Sequence, residues 1–225
     1  MTLARIAGAA AAHGLGVIGA LHPAPEDGAP PGTGTLVLLG PEGEAMWTAF
    51  TASPEATDGA EHPLDRWSER VIGALAAAFG GAAAFPFGGP PYAPFFRWAL
   101  KGAPVWGSKL GMLIHAERGV WVSFRGALAL PERLALPSRA AVERPCDPCP
   151  APCRAACPVS AFTDAGYDAA ACRAHLDRPE GAPCREGGCL ARRACPVGAA
   201  FAPGPAQAAF HLAAFRAAGR DTGAA

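Results

Sequence analysis

The cysteines constrain this chain more than any other feature, because all of them fall in one short segment. The sequence has eight cysteines among 225 residues, and they stand at Cys146, Cys149, Cys153, Cys157, Cys172, Cys184, Cys189 and Cys195. Sulfur atoms concentrated in this way indicate a shared metal site or a framework of disulfide bonds. The same segment contains few large apolar residues, so its fold must depend on its sulfur atoms.

The first four cysteines form a loop that ends in Cys-Pro. Residues 146–158 read C-D-P-C-P-A-P-C-R-A-A-C-P. Such loops are typical of iron–sulfur proteins, in which three cysteines bind one cluster and the cysteine before the proline binds a second cluster. The ending Cys157-Pro158-Val159 returns as Cys195-Pro196-Val197, and this repeat predicts two related half-sites.

Two [4Fe–4S] clusters require eight thiolates, which is the number that the segment supplies. We predict crossed ligation, in which each cluster takes its Cys-Pro cysteine from the other half of the segment. The first cysteine group, predicted to bind one cluster, comprises Cys146, Cys149, Cys153 and Cys195. The second cysteine group, predicted to bind the other, comprises Cys157, Cys172, Cys184 and Cys189.

The cysteine spacing leaves two alternatives open. The bacterial pattern is C-x2-C-x2-C-x3-C-P, whereas three residues separate Cys149 from Cys153 and the second half reads C-x11-C-x4-C-x5-C-P. A zinc site would use paired C-x2-C knuckles, of which this sequence has one. Structural disulfides would require an oxidising compartment.

Two histidines, His115 and His175, are candidates for ligands, because histidine can replace cysteine on a cluster. With eight thiolates present, neither His115 nor His175 is needed. His175 follows Cys172 by three residues, so we expect it to hydrogen-bond near a sulfur atom or to lie at the surface.

The charge and the apolar pattern indicate where the protein acts. Its formal net charge is zero, so no strong field favours nucleic acid or an anionic membrane as a partner. The alanine-rich start, residues 1–20, is interrupted by His13 and Gly14 and lacks a clear signal-peptide cleavage site. No apolar run reaches the length of a membrane span. We therefore expect a cytoplasmic protein.

Helical and strand patterns are mixed without regular alternation before the cysteine segment, which favours an α+β fold. Apolar residues recur at helical spacing from Pro63 onward. Residues 15–21 and 35–39 are predicted strands, and residues 111–124 are a predicted hairpin that turns at residues 117–119.

These patterns divide the sequence into three predicted segments. Residues 1–140 form an α+β domain, and residues 141–203 form a loop-rich two-cluster domain of the bacterial ferredoxin type. Residues 204–225 form a C-terminal helix and tail, with the helix predicted from Pro205 to Ala218.

Two stretches resemble epoxyqueuosine reductase, a cobalamin-dependent two-cluster enzyme of tRNA modification. One is Trp106–Ile114, continuing through Glu117, Gly119 and Trp121, which is similar to that family's Trp-x-x-Lys segment. The other is the cysteine segment, where residues 168–176 resemble the family's fifth-cysteine stretch. The resemblance covers roughly residues 100–200. It implies a shortened N-terminal reductase-like domain, Cys172 as a cluster ligand, and Trp106 and Lys109 as contacts of a corrinoid.

The sequence also departs from that family. In that family a catalytic Asp stands just before a Gly-Pro. In this sequence residues 85–88, which precede Gly89-Pro90, read F-P-F-G and include no carboxylate. The family's C-terminal helical repeats have no counterpart after Cys195. The chain is thus more similar to small, ferredoxin-like relatives.

Three functions follow from these observations. The first is electron transfer through two [4Fe–4S] clusters to a redox partner protein whose identity the sequence does not specify. The second is a reductase that depends on a corrinoid or another cofactor, and the third is a non-redox protein in which metal only stabilises the fold. Whether the protein is an enzyme, in this case an oxidoreductase, stays open at this stage.

Overall fold

A computed structural model describes residues 1–138 and 142–218. The chain divides into two compact units. Unit 1 comprises Met1–Val105 and Val122–Val142, and unit 2 comprises Trp106–Trp121 and the chain from Glu143 onward. Residues 106–121, which fall inside the first predicted segment, are therefore part of the same unit as the cysteines. Helices and small antiparallel sheets are mixed, so the predicted α+β class is confirmed.

The strands are short and fall into three sheets. In chain order they are β1 Leu15–Leu21, β2 Thr35–Pro41, β3 Ala82–Ala84, β4 Val105–Gly107, β5 Leu113–His115, β6 Gly126–Leu130, β7 Phe162–Thr163 and β8 Gly166–Tyr167. The largest sheet has the order β1-β2-β6-β3, and all its pairings are antiparallel. Two further sheets pair β4 with β5 and β7 with β8.

The helices range from a single turn to four turns. In chain order they are α1 Leu3–Ala11, α2 Glu44–Thr51, α3 Pro63–Ala78, α4 Phe95–Gly102, α5 Pro152–Ala155, α6 Ala169–Leu176, α7 Ala182–Gly187, α8 Leu190–Arg193 and α9 Pro205–Ala217. Single 3₁₀ turns lie at Pro25–Asp27, Pro54–Ala56, Pro179–Gly181 and Ala199–Phe201. Within the described residues, no helix is both long and apolar enough to cross a membrane.

Unit 1 has a conventional hydrophobic core. Strand β2 lies between β1 and β6, and Leu36–Leu39 are completely buried, as expected for a central strand. Helix α3 places Trp67 and Ile72 in the same core, with exposed fractions of 2% and 0%. The predicted strand at 15–21 and the helix that begins at Pro63 are confirmed.

The predicted hairpin at residues 111–124 is wrong in its second strand. Strand β5 forms, and a single bridge pairs His115 with Gly119, but residues 120–124 are not a strand. The reason is a contact that no local pattern reveals: the carbonyl of Val120 accepts a hydrogen bond from the Arg192 guanidinium at 2.9 Å. The Arg192 side chain thus donates to the Val120 carbonyl in place of the backbone N–H group of a neighbouring strand.

The predicted C-terminal helix is confirmed as α9, which ends at Ala217. The predicted helix stop at Gly219 and the tail after it lie outside the described residues.

One ion pair in unit 1 links the 3₁₀ turn at residues 54–56 to α3. Arg70 donates to both carboxylate oxygens of Glu55, and one of these bonds measures 2.9 Å. This pairing lowers the pKa of Glu55 to about 2, mainly through the hydrogen bonds from Arg70. Because the folded pKa lies below the unfolded value of 4.5, the pair stabilises the folded state above that pH and ceases to do so as pH falls toward 2.

We expect Glu55→Gln to lower the free energy of unfolding by about 1 kcal/mol at pH 7, because the Arg70 side chain is half exposed and screened by water. The difference from wild type should shrink as pH falls below 4.5. Urea unfolding of the full chain, monitored by circular dichroism across this range, measures it. Glu69→Gln, at an exposed position of α3, is the matched control, and equal losses in both variants would contradict the assignment.

Candidate metal centre

All eight cysteines are free thiols in the structure, and Cys153, Cys184 and Cys195 are buried. They belong to unit 2 without exception.

The first cysteine group gathers around Cys153. The pKa of the Cys153 thiol is raised, mainly by burial and further by the negative charges of Cys195, Cys146 and Cys149. Cys153 and Cys195 are each 8% exposed and share one apolar cluster with Leu110 and Ile114. Cys146, Cys149 and Cys195 therefore lie near Cys153, and their binding of one common cluster stays a prediction.

The second cysteine group lines one cavity. Its four members share that cavity with eight further residues: Pro158, Val159, Phe162, His175, Leu176, Leu190, Ala191 and Leu212. The pKa of the Cys172 thiol is raised, mainly by burial and also by the negative charges of Cys157 and Cys184. Cys157 thus lines this cavity, and it also packs against the apolar cluster that contains Cys153 and Cys195. That either group binds a cluster stays a prediction.

Two short helices, α5 and α8, each lead into one of the two Cys-Pro sequences. Helix α5 ends at Ala155, one capping residue follows, and Cys157 comes next. Helix α8 ends at Arg193, one capping residue follows, and Cys195 comes next. The two helices pack against each other. Each Cys-Pro therefore stands at the same position relative to the end of its helix, and the repeat in the sequence corresponds to a repeat in the structure.

Residues 106–121 frame the first cysteine group. Leu110, Ile114 and Val120 are almost completely buried against Cys153 and Cys195. The turn after β5 is held by His115, whose Nδ1 accepts hydrogen bonds from the backbone N–H groups of Glu117 and Arg118. His115 thus acts as a cap for this turn.

The turn at Gly119 approaches the second Cys-Pro-Val ending closely. A Cβ atom at Gly119 would lie 1.9 Å from the carbonyl oxygen of Val197, and the φ angle of Gly119 is 56°. Only glycine satisfies both conditions, because other residues disfavour positive φ and would collide with the backbone. The close approach positions the chain immediately after Cys195-Pro196.

Both predicted cofactor contacts lie beside the first cysteine group. The Lys109 amine donates to the backbone carbonyl of Cys149 at 2.5 Å, and Trp106 packs on the apolar cluster around Cys153. Lys109 therefore helps to hold the loop between Cys146 and Cys153. A contact of either residue with a corrinoid stays a prediction.

The sequence analysis missed two side chains near the second cysteine group. The guanidinium of Arg192 lies 4.3 Å from the ring of Trp121, and burial lowers its pKa while Cys189 acts in the opposite direction. The pKa of Tyr167 is raised, mainly by burial and further by Cys172 beside it, and its ring stacks on Phe162 at 5.0 Å between centroids. Arginine is common in this sequence and tyrosine 167 follows no motif, so no sequence signal distinguished them.

A single metal ion and a cluster make different demands on these cysteines. Zinc requires its sulfur ligands at about 2.3 Å from one point, and in the described residues no group of three or more His, Cys, Asp or Glu side chains could hold one metal ion. In a [4Fe–4S] cluster each thiolate binds a different iron, so the sulfur atoms lie farther apart. Which of these groups the eight free thiols bind stays a prediction; the lining of the second cysteine group also contains the buried and unpaired Nε2 of His175.

Comparison with known proteins does not assign the chain to a family. No protein-family model matches it, and no curated protein or solved structure shows a significant similarity to it. The function must therefore be argued from the site.

We expect Gly119→Ala to destabilise the metal centre by roughly 3–5 kcal/mol, because both backbone strain and a backbone collision oppose it. Gly111→Ala is the matched control: its φ is 75°, but no atom lies within 4 Å of an added Cβ. It should cost about 1–3 kcal/mol from strain alone. Urea unfolding and the rate at which a chelator bleaches the reconstituted protein measure the difference, and equal effects would contradict the proposed contact with Val197.

Paired substitutions test the crossed grouping. In the crossed arrangement, Cys146→Ala with Cys195→Ala removes ligands from one cluster and should leave about half of the iron. Cys146→Ala with Cys157→Ala removes a ligand from each cluster and should abolish most iron binding. Iron and sulfide assays after anaerobic reconstitution measure both, and the reverse result would indicate that Cys157 binds with its sequence neighbours.

Proposed function

We propose that the protein is a ferredoxin-type electron carrier that holds two [4Fe–4S] clusters, one in each cysteine group. What supports this proposal is that Cys146, Cys149 and Cys195 lie near Cys153, while the four cysteines of the second group line one cavity. All-thiolate donor sets of four are typical of iron–sulfur clusters and of structural zinc, and the Cys-Pro endings favour the clusters.

A bound cluster of this type accepts and releases one electron at a time. The protein would have two roles: it would hold the clusters close together, and it would shield them partly from water. The packing of α5 against α8 supports the first role, because each helix leads directly into a cysteine of the opposite group. The apolar side chains around Cys153 and around the second cysteine group support the second role.

Positive side chains near the thiolates support an electron-transfer role as well. An all-thiolate cluster carries net negative charge, which rises on reduction. Arg192 lies near Cys189, and Lys109 is hydrogen-bonded to the loop that carries Cys149. Such charges moderate the cost of adding an electron in a partly buried site.

The cellular setting and the partner follow from the same chemistry. Free thiols that must await metal are favoured in the reducing cytoplasm, which we propose as the location. The partner would be a redox protein, since a neutral chain offers no electrostatic attraction to nucleic acid or to an anionic membrane. Unit 1 would then serve as a scaffold or a docking domain.

A second candidate is a cofactor-dependent reductase related to epoxyqueuosine reductase. It is favoured by the position of Trp106 and Lys109 beside the first cysteine group, since a cofactor contacting them would lie next to a cluster. Binding of added cobalamin by the reconstituted protein, weakened by Lys109→Ala, would favour this candidate. An electron carrier should not bind it.

Anaerobic reconstitution with iron and sulfide tests the proposed function. We expect eight irons and eight sulfides per chain, because two clusters require them, and two reversible one-electron reductions by dithionite. Stoichiometric zinc without iron uptake, or a stable yield of four irons, would contradict the two-cluster proposal. Clusters that cannot be reduced would favour a purely structural metal centre.

A further inference from the structure

His175 has a buried nitrogen without a partner. It lies on α6, three residues after Cys172, and lines the cavity of the second cysteine group. Its Nε2 is one of three buried side-chain atoms that lack a hydrogen bond within residues 1–138 and 142–218; the others are Ser53 Oγ and Arg192 Nε. Buried polar groups are nearly always paired, so an unpaired one needs an explanation.

The lining of the cavity limits what His175 could bind. Apart from His175, the side chains that line the cavity are apolar or are the four thiols of the second cysteine group. Nε2 makes no hydrogen bond to the four thiols in the structure, so an acceptor for an N–H group there would have to belong to a group bound in the cavity. A cluster there would offer such acceptors in its thiolate and sulfide sulfur atoms, and N–H groups that donate to them are a known means of tuning a cluster.

We propose that His175 donates a hydrogen bond from Nε2 to a sulfur atom of the cluster held by the second cysteine group, and thereby raises the reduction potential of that cluster above that of the other. The proposal rests on the proposed function. When a cluster goes from the 2+ to the 1+ state it takes up one electron, here from dithionite, and its sulfur atoms become more negative. An N–H donor stabilises the reduced state more than the oxidised one.

The first cysteine group has a different arrangement. Its neighbouring cation, Lys109, donates to the carbonyl of Cys149 and not to a thiol. The two clusters should therefore differ in reduction potential, and the first added electron should reside mainly on the cluster of the second cysteine group. His175 is a positioning and tuning residue in this scheme, and it takes no part in binding iron.

A redox titration monitored by electron paramagnetic resonance tests the proposal on the reconstituted full chain. We expect His175→Phe to weaken the preference for the reduced state of one cluster by a factor of about ten, which is about 59 mV for a one-electron couple. The reduction potential of the other cluster should not change. His175→Gln, which retains an N–H donor of similar reach, should restore most of the difference.

A control and a second measurement guard against indirect effects. His211→Phe makes the same change at an exposed position of α9 and should move neither step. In wild-type protein labelled with ¹⁵N-histidine, pulsed electron paramagnetic resonance should detect one weak nitrogen coupling to the reduced cluster, absent in labelled His175→Phe. This second readout does not depend on the stability of a variant.

The outcomes separate this proposal from the proposed function. Eight irons with unmoved potentials, or with no nitrogen coupling, would overturn the role of His175 and leave the two-cluster function intact. A strong coupling would also overturn it, because histidine would then be a ligand. Wild-type protein that takes up no clusters would overturn both proposals.

Discussion

The proposed exchange of cysteines between two halves of one segment is the constraint on which our account of unit 2 depends. Cys157 lines the cavity of the second cysteine group, and Cys195 lies near Cys153 of the first. Residues in this unit lose roughly 1–2 kcal/mol each of backbone entropy on folding, and the segment has few large apolar side chains to offset that loss. Metal–thiolate bonds, whose formation is coupled to folding, would supply the difference.

Unit 1 is stabilised in a different way. Its sheet buries β2 completely, and α3 covers the sheet with one apolar face, so the hydrophobic effect dominates there. The two carboxylates buried in the described part of unit 1 are both paired, Asp27 with Lys101 and Glu55 with Arg70. One chain thus combines a core that needs no metal with a unit whose proposed core is metal.

The sequence was most informative where the pattern was local. Strand β1 and the start of α3 at Pro63 follow directly from apolar periodicity and from proline at a helix start. The repeated Cys-Pro ending corresponds to two equivalent helix ends at α5 and α8, and the crossed ligation inferred from it stays a prediction. Helix α2 was missed, although Met46 and Phe50 stand at helical spacing and both are buried.

Features that depend on long-range contacts could not be predicted in this way. Residues 106–121 belong to the cysteine unit because their apolar side chains pack on Cys153 and Cys195, which no local pattern indicates. The carbonyl of Val120 accepts a hydrogen bond from Arg192, which lies far along the chain. The unpaired nitrogen of His175 likewise has meaning only through the cavity that surrounds it.

The central claim is that two four-iron clusters occupy the two cysteine groups with crossed ligation. A crystal structure of the anaerobically reconstituted protein, with anomalous diffraction recorded at the iron edge, tests it most directly. The account predicts two compact iron peaks, one among Cys146, Cys149, Cys153 and Cys195 and the other among Cys157, Cys172, Cys184 and Cys189. A single peak, a peak from zinc, or a cluster bound by Cys157 together with Cys146, Cys149 and Cys153 would contradict it.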